Sequence, residues 1–437
     1  MSTIAEVTLW GTTIGAVALS EGAEVATFEY DNAFVRSGIE VAPLMMPLSR
    51  DRNYRFPQLA RESFHGLPGM LSDALPDKFG NALIDAWLAT QGRAAHSFNA
   101  VERLCYTGSR GMGALEFAPR TGPRAQSASR IEVAELVRLA SEVLSNRNDL
   151  RGAFGGDEEK EIALRDILRV GTSAGGARAK AVIAWNRETN EVRSGQVEAG
   201  KGFEYWLLKF DGVSENRDKE ILADPKGYGV IEYAYHLMAV AAGIEMTECR
   251  LLEENGRRHF MTRRFDRGPG GEKWHLQSLG ALAHFDFNQA GAYSYEQALQ
   301  VMRRLGLGME AIEEQFRRMV FNVVARNQDD HVKNIAFLMD KRGRWRLAPA
   351  YDVIYSYALE GAWTSRHQMT INGKRDDFTL GDLKACADSA DMKRGRAEAI
   401  LEEIREVVAR WAEFAEEAGL ASEESDRIRP ALRLEGW

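Results

Sequence analysis

Residues 325–356 read ARNQDDHVKNIAFLMDKRGRWRLAPAYDVIYS, and the chemistry of the chain centres on this segment. It begins as a loop, because Asn, Asp and His follow one another without apolar alternation. IAFLMD and WRLAPA then read as two short strands joined by a KRGR turn. Asp329 and Asn334 stand five positions apart, and Asp352 follows the hairpin. Phosphoryl transfer from a nucleotide needs these groups in this order. One carboxylate takes the acceptor's proton, a second holds magnesium on the phosphates, and an amide oxygen completes the metal shell. Protein kinases use the same Asp-x-x-x-x-Asn spacing, with the metal Asp after a hairpin. Here no Arg immediately precedes Asp329, and Val353 and Ile354, not Phe-Gly, follow Asp352. Taken singly, each of these residues reads equally well as a loop polar or a cap; the ordered set favours a site.

Working outward, Lys209 sits within the apolar strand WLLKF, where it either reaches the nucleotide phosphates or lies on a solvated face. Glu232, on the helix that follows, is placed either to pair with Lys209 or to face solvent. GTSAGGARAK, Gly171 to Lys180, is the candidate phosphate cover, with Gly175 and Gly176 letting backbone N–H groups approach an anion. It is neither a Walker A loop nor GxGxxG, and alone it reads equally as a Gly-rich turn. His331 lies in the acid loop, placed to orient its neighbours. The other seven histidines show no His-x-x-x-His spacing and read as structural or exposed. No G-x-S-x-G elbow supports a hydrolase.

The whole chain bounds this reading. It has 437 residues, 45% apolar and 27% charged, ordinary for a globular protein of two or three domains. The formal net charge of -8 excludes a uniformly basic nucleic-acid binder, so contact with DNA is expected only indirectly, through a partner. Cys105, Cys249 and Cys386 are far apart and form no C-x-x-C pair, which argues against a zinc site and suits a reducing cytoplasm. The N-terminus MSTIAEVTLWG lacks a basic n-region and a long apolar run, and no membrane span is expected.

Strand-like alternation dominates the first third, as in VTLWGTTIGAVAL. Helices are predicted from about Asp77, over about 131–144, over 228–242 and over 310–325, and one charged helix from about Asp391 to Gly419. Asn255-Gly256 predicts a hairpin. The polar stretches 119–129 and 151–160 are candidate boundaries. Three parts are expected: a strand-rich subdomain over 1–130, a nucleotide-binding lobe over 131–255, and a helical lobe with catalytic and metal loops over 256–437.

Several motifs together carry a resemblance. FHGLPGMLSDALPDKFGNALID, SAGGARAK, WLLKF, TRRFDR, NQDDHVKN and LAPAYD, in this order, resemble those of the HipA-type serine/threonine kinase toxins of bacterial toxin–antitoxin systems. The resemblance spans most of the chain. It implies an α+β, bilobal, protein-kinase-like fold with an N-terminal strand-rich subdomain and a mainly helical C-terminal lobe. It also implies ATP and Mg²⁺ as cofactors, with Lys209 as the ATP-contacting lysine and Asp329 as the catalytic aspartate. Asn334 and Asp352 resemble the magnesium ligands, and Ser173 the loop serine that members autophosphorylate. Lys180 closes the phosphate-loop motif. Where many relatives have Gln-Glu, this chain has Arg178 and Ala179. The implied partners are a protein substrate, such as an aminoacyl-tRNA synthetase, and a small DNA-binding antitoxin of the HipB kind. Two alternatives stand beside this: a catalytically silent, antitoxin-bound co-repressor, and a small-molecule kinase.

Overall fold

The computed structural model describes residues 2–94, 97–121, 132–145, 178–196, 198–213, 227–268 and 271–437. Three antiparallel sheets organise the chain. The first has the order β3-β2-β1-β4, from β1 (Thr3–Leu9), β2 (Thr12–Leu19), β3 (Thr27–Tyr30) and β4 (Leu115–Ala118). Alternation along β1 turns Ala5, Val7 and Leu9 into a core shared with Phe28, Leu71 and Leu104. The second sheet has the order β6-β5-β7-β9-β8, from β5 (Lys180–Asn186), β6 (Glu191–Ser194), β7 (Glu204–Lys209), β8 (Cys249–Glu254) and β9 (Arg257–Arg263). The predicted Asn-Gly hairpin joins β8 to β9. Both turn residues, Asn255 and Gly256, take positive φ, at 45° and 74°. The third sheet has the order β10-β11-β12, from β10 (His275–Ser278), β11 (Ala336–Met339) and β12 (Trp345–Leu347).

Helices fill the remainder. The Lys78–Thr90 helix starts where Asp77 caps it, its Oδ1 accepting Gly80 N–H at 2.6 Å. With the Val133–Ser145 helix it covers one face of the second sheet, against Ile183, Trp206 and Leu208. The Tyr228–Ala241 helix contacts β8 and β9 of that sheet. It also enters the largest core, among Phe316, Phe321 and Trp411. The Met309–Val324 helix forms as its apolar spacing predicts. The expected single C-terminal helix over 391–419 is instead two, Arg396–Val408 and Trp411–Glu417. The break lets Trp411 turn inward to 1% exposure, its indole N–H donating to Ser425 O at 3.0 Å.

The segment FHGLPGMLSDAL is an interface. Gly69 N–H donates to His284 Nε2 at 3.0 Å, and Asp73 accepts from Ser278 N–H and Oγ at 2.7 and 3.0 Å. A Cβ at Gly69 would lie 2.2 Å from Ala281 O, so only glycine permits this approach. Burial holds His284 down to about 4, which keeps the ring neutral and its nitrogen an acceptor. Two residues of the TRRFDR run, Arg264 and Asp266, are similarly internal. Asp266 accepts two bonds from Arg264, one from Arg267, and one from Gly113 N–H. The β9 end is thereby locked to the loop that leads into β4.

Candidate active site

Period-two alternation in β7 buries Trp206 and Leu208 in one core and turns Lys209 to the opposite face. Lys209 stands directly opposite Lys180 in the β5–β7 register. Like charges so placed repel, and each lysine has its own acid. Lys180, 3% exposed, pairs with Asp77 at 3.3 Å. Lys209 pairs with Glu232 of the Tyr228–Ala241 helix at 2.5 Å and also with Asp352. Burial works against the Lys209 charge, but the carboxylates of Asp352 and Glu232 outweigh it and raise the ammonium above its usual range. Burial opposes ionisation of Asp352 too; Lys209, then Lys180, overcome it and hold the carboxyl well below the usual range.

Three connections fix this arrangement. Tyr235 OH donates to Ala325 O at 2.6 Å, and Tyr228 OH to Tyr355 O at 3.1 Å. The helix carrying Glu232 is thus tied to both segments that carry the acids. Tyr351 OH donates to Lys333 O, joining the hairpin exit to the acid loop. Asp352 itself adopts φ 57°, a left-handed conformation that Asp tolerates better than most residues.

The acid loop is anchored from below by Asp330, which nothing in the sequence distinguishes from Asp329. Asp330 is 3% exposed and accepts from Tyr295 OH at 2.8 Å and Gln368 N–H at 2.7 Å, with His367 Nδ1 at 2.8 Å. Asp329 points the other way. Its side chain is 39% exposed, with Trp363 Nε1 donating to Oδ1 at 2.7 Å and His331 Nε2 at 3.8 Å. Burial raises the Asp329 carboxyl; His331 and Trp363 oppose this, while Asp352 and Asp330 add to it. Asn334 Nδ2 donates to Asp329 O at 2.8 Å, which leaves its amide oxygen available.

The residues present fit a magnesium–nucleotide site. Asp352 is an ionised oxygen donor, Asn334 offers a neutral one, and the buried Glu232 Oε2 lacks a hydrogen-bond partner among the described residues. No group of three His, Cys, Asp or Glu side chains able to hold a metal occurs among the described residues. Lys209, Glu232, Asp329, His331, Asn334 and Asp352 are therefore drawn together, and Lys180 lies one strand over. Ser173, Gly175 and Gly176 lie outside the described residues. No helix among the described residues is long and apolar enough to cross a membrane.

Known proteins place the chain. HipA of Shewanella oneidensis MR-1, solved with HipB and operator DNA, superposes with a TM-score of 0.68 at 17% identity, covering 98% of this chain and 96% of that one. A Haemophilus influenzae protein described as "Putative kinase" is 26% identical over 161 residues, 33% of this chain. The matched part spans about half of that relative's length, 47%. Residues 5–118 match the family model of the HipA N-terminal domain, and residues 172–411 that of the HipA-like C-terminal domain. On these two matches, which between them cover most of its length, the chain belongs to the HipA family.

Proposed function

We propose that this chain is an ATP- and Mg²⁺-dependent protein serine/threonine kinase, the toxin of a toxin–antitoxin pair. The observation that carries the reading is Lys209 bridging Glu232 and Asp352, three residues from three separate elements. A lysine so held reaches nucleotide phosphates as a fixed cation. Asp352 and Asn334 would hold magnesium, which when bound neutralises phosphate charge. Asp329 orients the acceptor hydroxyl and takes its proton. The hydroxyl oxygen bonds to the γ-phosphorus, the bond to the bridging oxygen breaks, and ADP leaves.

The family's kinase chemistry and the relative solved with HipB and operator DNA support a HipB-like antitoxin as partner here. The acidic balance of the chain, at net -8, leaves DNA contact to that partner. The protein substrate is proposed to be a translation component such as an aminoacyl-tRNA synthetase. Ser173 is proposed as the autophosphorylation site, where a phosphate of about -1.5 to -2 charges repels the triphosphate. Cytoplasmic location is part of the same proposal.

The test is transfer of labelled γ-phosphate by the purified chain with ATP and Mg²⁺. Asp329→Asn should lower it by ~10²–10⁴ while the fold survives. Undiminished transfer by a folded Asp329→Asn protein would contradict the assignment. Ser173→Ala should lose the loop phosphate and keep ATP binding, as peptide mass spectrometry and calorimetry will show.

A further inference from the structure

We propose that Trp363 positions Asp329, its indole N–H holding one carboxylate oxygen so that the other faces the acceptor hydroxyl. This rests on the kinase reading above and adds a residue to the acceptor side of that site. The indole Nε1 donates to Asp329 Oδ1 at 2.7 Å, and His331 Nε2 faces the same oxygen at 3.8 Å. Among the described residues, no hydrogen bond reaches Oδ2. With 39% of the side chain exposed, the carboxylate is oriented without being closed off.

The segment bearing Trp363 is firmly built. Gln368 N–H donates to Asp330 Oδ1 at 2.7 Å, and His367 Nδ1 lies 2.8 Å from Asp330 Oδ2. Gln368 Nε2 donates to Gln328 O at 3.1 Å and to Trp363 O at 2.6 Å. One run of six residues, Trp363 to Gln368, thus holds both neighbouring acids of the loop. Asp330 is held from inside the protein, and Asp329 from the open side.

The chemistry suits an indole. Trp donates one hydrogen bond, accepts none and carries no charge. It can therefore fix a carboxylate without neutralising it, as a lysine or arginine would. An Asp329 carboxylate free to rotate would offer the acceptor proton a correctly placed lone pair only part of the time. The charged and titratable groups facing Asp329 are His331 on its own loop, Asp330 beside it, and Asp352 after the hairpin.

The contact is tested first without any substrate. In the ¹⁵N-labelled full chain, the Trp363 indole resonance is the one lost in Trp363→Phe. Its indole N–H shift should move in Asp329→Asn, where the carboxylate that accepts the bond is gone. A Trp363 resonance indifferent to Asp329→Asn overturns the proposal. Function is then read as Mg-ATP turnover. Trp363→Phe should lower kcat by roughly tenfold with KM for ATP unchanged. Trp363→His, which restores an N–H, should recover part of the loss. An unchanged kcat in Trp363→Phe, with Asp329→Asn inactive, overturns this inference alone. Wild-type turnover in Asp329→Asn overturns the kinase reading instead.

Discussion

Two buried charge clusters in this molecule differ in what their atoms have left to bind. Around Asp266, fully buried, two arginines and a backbone N–H satisfy the carboxylate completely. Around Lys209, Glu232 is left with an unpartnered oxygen, and the Asp352 side chain stays 32% exposed. A satisfied cluster in low dielectric is a strut, because nothing entering could improve it. An incompletely satisfied one, open on one side, has capacity for a ligand that supplies charge and donors of its own.

The largest effect expected from this contrast is on stability. Asp266→Ala leaves Arg264 and Arg267 buried without their acid, and breaking such a network costs about 3–5 kcal/mol. Denaturant melts should show it. A variant as stable as the wild type would mean that the cluster is not a strut. Lys209→Met should lower phosphate transfer on the order of 10²-fold or more, and because it leaves Glu232 buried without its cation it should lower stability as well. Asp266→Ala, in a protein that still folds, should leave transfer far closer to wild type; equal loss of transfer from both substitutions would erase the distinction.

A graded effect, spread over several buried rings, comes from protons. Burial lowers His236, His259, His275 and His284 to about 4. Each takes up its proton on unfolding, so between about 6.5 and about 4 the unfolded chain binds more protons. Stability contributed by these neutral rings is complete above that window and is lost as pH falls through it. Asp266 and Asp352, held low by their cations, should lose theirs only at lower pH still. Denaturation midpoints at pH 7 and pH 5 should therefore differ markedly. Equal midpoints would show that the rings are not kept neutral.

Much of the site was legible because its residues carry chemistry at short spacing. Asp329, Asn334 and Asp352 lie within one segment, while Glu232 stood equally as a partner of Lys209 or a solvent-facing acid until folding brought the two together. The anchoring of Asp330 was not legible. Two adjacent acids are equivalent in sequence, and only His367 and Tyr295, brought in by folding, draw one of them inward. Trp363 left no signal, since its partner is 34 residues away and no periodicity links them. Asp77 reads as a helix cap, which it is, while its pairing with Lys180 follows from how the helix lies against β5. TRRFDR enters the sequence reading only as one of several family-like motifs, and the buried Arg264–Asp266 pair within it is visible only in the structure. The single helix expected at the C-terminus failed for a related reason. Charge pattern continues through residues 409–410, but burying Trp411 requires the chain to turn there.

The account stands or falls on whether the Lys209 cluster is a magnesium–nucleotide site. Calorimetric titration of the intact chain with ATP tests this directly, with and without Mg²⁺, beside the Asp352→Asn variant. Binding of ATP that requires Mg²⁺ and weakens at least tenfold in Asp352→Asn is the predicted result. ATP bound equally well in chelator and by the variant, or not bound at all, would contradict it.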